Sequence, residues 1–199
     1  MDRLEQIIAQ IKADAKANFV PIVRDQTLEA LKNLVAELKP SKVLEIGTAV
    51  GYSALNMLAK CDCHITTIEK NEQRYQQAQT NFEKAGVSGQ VSLLNGDAMD
   101  VLQNLDLRGE KFELVFLDGP KGQYIKYLPI IKRLLAANGT IFADNVGLHG
   151  LVGHEELVTH KNRTMVRNMQ AFLDEVQRDA DFDTSIFEIE DGYAIISLK

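Results

Sequence analysis

The sequence has only two cysteines, Cys61 and Cys63, and they stand one residue apart. Cys-x-Cys is too tight for a disulfide framework, and no second pair exists to complete a thiolate zinc site. Reduced thiols in a cytosolic protein are expected. Long apolar runs are also missing. No segment approaches the roughly 20 apolar residues that span a bilayer. The opening stretch "MDRLEQIIAQIKADAKANF" mixes acids and bases where a signal peptide would carry an apolar core. The expectation is a cytoplasmic protein with no membrane partner. Basic charge is in deficit: the net charge is −6. This argues against a generally basic nucleic-acid binder and leaves room only for a local basic patch. Repeats, low-complexity tracts and linkers are lacking as well.

What is present suits one soluble domain over 1–199, because 45% of the 199 residues are hydrophobic and 25% charged. Leu4, Ile7, Ile8, Ile11 and Ala15 recur at helical spacing, and a second helix is predicted over 25–38, ending before Pro40. These make an N-terminal helical region, 1–38. Strands and helices then alternate. Strands are predicted at 42–46, 64–69, 90–95, 112–118 and 140–144, with helices at 51–59, 71–86, 98–105 and 124–139 between them. A helix over 162–177 follows, its buried stripe being Met165, Met169, Phe172 and Val176. Two strands, "DTSIFEIE" and "YAIISLK", close the chain across Asp191-Gly192, a hairpin signal. The fold class is therefore α/β: a Rossmann-like, doubly wound, mostly parallel seven-stranded sheet with a C-terminal antiparallel hairpin.

Ligands of such sheets bind beyond the carboxyl ends of the strands. Each of the first five strands delivers an acid there: Glu45, Glu69, Asp97, Asp118 and Asp144. Unpaired buried carboxylates are costly, so this recurrence points to ligands. The first loop, Glu45-Ile46-Gly47-Thr48-Ala49-Val50-Gly51-Tyr52-Ser53, has glycines spaced G-x-x-x-G. That is neither the dinucleotide fingerprint G-x-G-x-x-G nor a P-loop. Glu45 within the turn would repel a pyrophosphate and attract a cationic amine or sulfonium. Glu69 is placed for ribose hydroxyls, and Asp97 for an adenine amino group. A nucleoside with a cationic amino-acid tail and no phosphate is S-adenosylmethionine. The plainer reading is that Gly47 and Gly51 serve only a tight strand-to-helix turn.

On "VLEIGTAVGYSA", "TTIEKN", "LLNGDA", "FLDGPKGQY" and "IFADNV", the sequence resembles the class I methyltransferases. Within them it is similar to the metal-dependent catechol and caffeoyl-CoA type O-methyltransferases, over about 20–199. The resemblance implies a homodimer, S-adenosylmethionine and one Mg²⁺-like ion. It implies cofactor contacts at Val23, Glu45, Gly47, Ser53, Glu69, Asp97, Ala98 and Asp118. Asp118, Asp144 and Asn145 match metal ligands, and Lys121 a general base.

Two carboxylates and an amide oxygen make a hard site, suited to Mg²⁺, Mn²⁺ or Ca²⁺ rather than zinc. The plainer readings are a turn residue at Asp144, a cap or turn former at Asn145 and a solvated lysine at Lys121. Segment 146–161 has no clear element and is expected to be a lid. It holds His149, His154 and His160, but no thiolate or H-E-x-x-H helix, so solvated or substrate-facing histidines are expected rather than zinc ligands.

For the acceptor, "DGPKGQY" and "DNVGLHGLV" resemble most the bacterial branch that methylates 5-hydroxyuridine at the tRNA wobble position. Pro120 stands where the catechol branch carries an aromatic gatekeeper, and Lys161, Arg163 and Arg167 offer a small phosphate patch. Against tRNA stand the net charge and the acids Glu155 and Glu156 in the lid. Small catechol-like phenols or their CoA esters are the alternative. A dinucleotide-dependent oxidoreductase is disfavoured by the missing third glycine, and a binding module without catalysis by the intact Asp118, Lys121, Asp144 and Asn145.

Overall fold

A computed structural model of the chain describes residues 3–153 and 158–199. The fold falls into two compact units, Met1–Val101 and Leu102–Lys199. Their strands are hydrogen-bonded in the order β3-β2-β1-β4-β5-β7-β6, a seven-stranded sheet.

The first unit begins with α1 (Arg3–Ala17) and α2 (Asp25–Leu38). On α1, Ile11 and Ala15 are buried, four apart, where the helix packs against the later helices α3 and α4. On α2, Leu28, Leu31 and Val35 form the buried stripe, and Lys39 closes the helix in a left-handed conformation (φ 47°). Three parallel strands follow: β1 (Lys42–Ile46), β2 (His64–Glu69) and β3 (Val91–Asn95). In β1 the residues Val43, Leu44, Glu45 and Ile46 are all buried, so side chains on both faces are covered, as parallel sheets require. Helix α3 (Tyr52–Leu58) leaves β1, and α4 (Glu72–Ala85) leaves β2. Asn71 caps α4 by accepting from the Arg74 amide at 3.0 Å, and Gly86 ends it at φ 73°.

Helix α5 (Ala98–Leu107) leads into the second unit. There β4 (Phe112–Leu117) and β5 (Leu135–Asp144) pair in parallel, with α6 (Tyr124–Leu134) between them in sequence. Then come α7 (Arg163–Arg178), β6 (Phe182–Phe187) and β7 (Tyr193–Leu198). β7 runs antiparallel to both β5 and β6. The mostly parallel sheet with an antiparallel C-terminal pair matches the expectation from sequence. Aromatic contacts knit this end together: Tyr193 stacks on Phe142 at 4.9 Å and on Phe187 at 4.8 Å between ring centroids.

Three local expectations need correction. The helix predicted over 124–139 stops at Leu134 and the chain turns extended at Leu135 (ψ 138°). Asn138-Gly139 is no helix stop; it belongs to an irregularity in which Leu135 pairs with Phe112 and Thr140 with Leu114. Asn138 supplies the left-handed residue (φ 60°) and Gly139 has backbone oxygens within 3.1 Å of where a Cβ would stand. Second, the closing hairpin is not a two-residue turn. Phe187 pairs with Tyr193, so residues 188–192 form a five-residue loop in which Asp191 is buried. Third, on α7 Leu173 joins Met169, Phe172 and Val176 in the buried stripe, and Met165 is only half-buried.

Candidate active site

In the first unit, the loop after β1 is wired to the end of β2. The Gly47 and Thr48 amides both donate to the Ile68 carbonyl, at 3.1 and 3.2 Å. Gly47 (φ 106°), Ala49 (φ 48°) and Gly51 (φ 82°) give the loop its left-handed turns. Gly51 answers to packing as well: a Cβ there would stand 2.7 Å from the Phe82 ring. Glu45 is fully buried and accepts hydrogen bonds from the hydroxyls of Thr67, at 2.5 Å, and Ser53. Thr48 Oγ1 meets Thr67 Oγ1 at 2.6 Å, which extends the network. Glu69 uses both carboxylate oxygens on backbone, accepting from the Ala49 amide at 2.8 Å and the Asn71 amide at 2.7 Å. A carboxylate has about four acceptor positions, so Glu69 keeps capacity for hydroxyl donors.

Asp97 differs from these. Its side chain is 41% exposed and pairs with Lys70 at 2.8 Å. The Lys70 ammonium, then the Met99 amide, hold its carboxyl below the ordinary range. Val23 and Ala98 are buried. Thus every first-unit residue that the resemblance singled out is placed: Glu45 and Glu69 inside the loop network, Ser53 on it and Asp97 open to solvent. Thr67 and Thr48 were missed, although a threonine inside the apolar run of β2 was a usable signal of internal hydrogen bonding at Thr67.

In the second unit, Asp118 follows directly on β4 and Asp144 ends β5. A 3₁₀ turn over 121–123 brings Lys121 Nζ to 2.6 Å from Asp118 Oδ1 and 3.0 Å from the Tyr124 hydroxyl. Tyr124, wholly buried, donates to the Leu117 carbonyl at 2.8 Å and lies 3.1 Å from the Asp144 carbonyl. One phenol therefore bridges the ends of β4 and β5 and receives the lysine. Asn168 of α7 donates to the Gly122 carbonyl at 2.8 Å and fixes the same turn from the other side. Tyr124 and Asn168 went unassigned in the sequence reading; the i, i+3 spacing of Lys121 and Tyr124 was the available sign for the first.

The charges here oppose one another. Asp144 is 2% exposed and its carboxyl is pushed up to about 7, first by burial and then by the charge of Asp118. Burial alone would push Lys121 down, but Tyr124, Asp118 and Asp144 outweigh it and hold the ammonium well above an ordinary lysine. As the chain stands, Lys121 is an ammonium, not a base. Asn145 takes a left-handed conformation (φ 57°) and its amide donates to Asp144 Oδ1 at 2.6 Å. Asp118 and Asp144, with Asn145 next in the chain, offer hard oxygen donors, and the two carboxylates together carry more negative charge than one lysine neutralises. That donor set fits a hard divalent cation.

The other candidates do not gather. Among the described residues no group of three or more His, Cys, Asp or Glu could hold a metal ion. The His149 side chain is 73% exposed, His160 is exposed, and His154, Glu155 and Glu156 lie outside the described residues. Lys161, Arg163 and Arg167 are exposed. Cys61 and Cys63 are free thiols.

The family described as O-methyltransferase matches residues 2–199. The chain belongs to that family. A catechol O-methyltransferase from Niastella koreensis is 30% identical to the methyltransferase, over 74% of this chain and 69% of the relative. A crystal structure from Staphylococcus aureus, provisionally called a caffeoyl-CoA O-methyltransferase, superposes with a TM-score of 0.89 at 32% identity, covering 96% of this chain and 92% of that one. An SAH-bound methyltransferase from Podospora anserina superposes at 0.82 with 25% identity, over 100% and 88% of the two chains. The methyltransferase is thus an S-adenosylmethionine-dependent enzyme that methylates oxygen. Among its described residues no helix is long and apolar enough to cross a membrane.

Proposed function

We propose that the methyltransferase moves the methyl group of S-adenosylmethionine to one hydroxyl of a small catechol-like phenol or of its CoA ester. The observation that carries this reading is the clustering of Asp118, Asp144 and Lys121 at the ends of β4 and β5, an acid-rich oxygen site with a lysine in hydrogen-bond reach. The names of the relatives support the phenolic acceptor. Sequence motifs leaned toward tRNA 5-hydroxyuridine; its support in the fold is limited to the exposed cations Lys161, Arg163 and Arg167. The homodimer and the cytoplasmic setting implied by the resemblance belong to the same proposal.

In this reading Glu69 and Asp97 accept from the cofactor's hydroxyl and amino groups, Glu45, Gly47 and Ser53 shape its loop, and Val23, Ala98 and Asp118 are further cofactor contacts. A Mg²⁺-like ion, held by Asp118, Asp144 and Asn145, would supply positive charge that favours the ionised form of a phenol, whose own pKa is about 10. With that positive charge beside Asp118 and Asp144, the Lys121 ammonium would release its proton to solvent, and the neutral Nζ would then take the acceptor's hydroxyl proton; Tyr124 keeps that nitrogen in place. The remaining work is orientation, with oxygen and methyl carbon held in line.

An acceptor panel tests the substrate class. Protein, S-adenosylmethionine and Mg²⁺ are incubated with catechol, caffeoyl-CoA, phenol or undermodified tRNA, and products are read by mass spectrometry. Catechol or caffeoyl-CoA should gain one methyl group, and phenol and tRNA none. Transfer confined to tRNA would overturn the phenolic reading.

A further inference from the structure

We propose that Asp191 is a positioning residue for methyl transfer: with Gly192 it clamps segment 145–149 and thereby holds Asn145 beside Asp144. The proposal rests on the assignment of Asp144 and Asn145 to the acceptor site.

Asp191 is a buried acid that the chemistry above leaves unused. It lies in the 188–192 loop between β6 and β7, 5% exposed, and not at the tip of a tight hairpin. Its carboxylate accepts from the His149 amide through Oδ1, and Oδ2 lies 3.4 Å from His149 Nδ1. Its own carbonyl accepts from the Gly147 amide at 2.8 Å, and the Gly192 carbonyl accepts from the Val146 amide at 3.0 Å. Two consecutive loop residues therefore satisfy the amides of 146, 147 and 149.

The approach is close on both sides. A Cβ on Gly147 would stand 2.9 Å from the Asp191 carbonyl oxygen, and one on Gly192 would stand 2.9 Å from the Gly147 nitrogen. The clamped segment needs this support. Asn145, Leu148 and His149 all have positive φ, at 57°, 49° and 57°. Non-glycine residues in that region persist only when their surroundings over-determine them. Hydrogen bonds to a charged acceptor are among the stronger ones available to do so. What the clamp holds is the run that starts at Asp144 and Asn145, whereas the loop network of Glu45 and Glu69 lies outside it.

The test compares Asp191→Ala, Asp191→Asn and Gly147→Ala with the parent protein. Readouts are amide hydrogen exchange, calorimetric affinity for S-adenosylmethionine, and kcat and acceptor KM on catechol. In Asp191→Ala the His149 amide should exchange about ten- to a hundredfold faster, as expected for a lost charge-assisted bond. Its kcat should drop about tenfold or more and acceptor KM should rise, with cofactor affinity within about twofold of the parent. Asp191→Asn, which keeps an acceptor oxygen, should recover most of both the protection and kcat. Gly147→Ala, which keeps the carboxylate but forces the loops apart, should repeat the kcat defect, and it serves where Asp191→Ala fails to fold. Parental kcat and acceptor KM in Asp191→Ala would overturn the proposal. So would an Asn variant no better than Ala, or cofactor affinity falling in step with activity. A parent protein that methylates no phenol would refute the functional reading alone; the exchange rates at Gly147 and His149 would still decide whether the clamp exists.

Discussion

In metal-free protein, Asp144→Asn is expected to be more stable than the parent at pH 8 while its turnover under metal-replete assay falls about a thousandfold. The stability gain follows from the ionisation of Asp144. Its carboxyl sits at about 7 in the folded chain, against an ordinary 3.8, because it is buried beside Asp118. Between those two pH values the unfolded chain has released the proton and the folded chain keeps it. Folding stability therefore falls as pH rises from about 4 to about 7 and stays reduced above that range. A neutral amide of the same shape removes this cost. The variant should gain about 1–4 kcal/mol at pH 8 and converge with the parent near pH 4. Chemical denaturation at pH 4, 6 and 8 measures it. A variant that is weaker at pH 8, with no pH dependence in the difference, would make Asp144 a residue of the fold instead of the reaction.

Lys121 carries the second large effect. Lys121→Ala should lower kcat by about 10²–10⁴-fold, the range for loss of a positioned acid–base group, with cofactor affinity spared. Alanine also leaves Asp118 and Asp144 without their cation, so some loss of stability is expected alongside. Lys121→Arg separates the two roles. Arginine keeps the positive charge beside Asp118 but does not give up its proton in proteins. Lys121→Arg should fold like the parent and still lose most of its turnover. Parental turnover in the arginine variant would mean that Lys121 serves as a fixed charge and not as a base.

Much of this was legible before the fold was known, for a physical reason. A parallel sheet presents its strand ends to ligands, so acids ending successive apolar runs stand out in sequence. Glu45, Glu69, Asp97, Asp118 and Asp144 were found that way, and Lys121 by its nearness to Asp118. The wiring among them was not legible. Whether Glu69 points at a ligand or at the Ala49 and Asn71 amides depends on loop dihedrals that residue type does not report. Glu45 read as an acid within the turn that attracts a cation, and its full burial against the hydroxyls of Ser53 and Thr67 could not be read from residue type. Periodicity also failed at Leu135, where the apolar pattern of α6 continues into a strand without a break and Asn-Gly mimics a helix stop. Asp191-Gly192 matched a tight hairpin, but tertiary contact with Gly147 and His149 set the loop length instead.

In the proposed mechanism, acceptor chemistry depends on hard oxygen ligands at Asp118, Asp144 and Asn145. Its most direct test is methyl transfer from S-adenosylmethionine to catechol, followed by mass spectrometry, before EDTA, after EDTA, and after Mg²⁺ or Mn²⁺ is returned in excess. Product should form before chelation, essentially none after it, and recover with either ion, while cofactor binding stays intact throughout. Undiminished product in EDTA would contradict it.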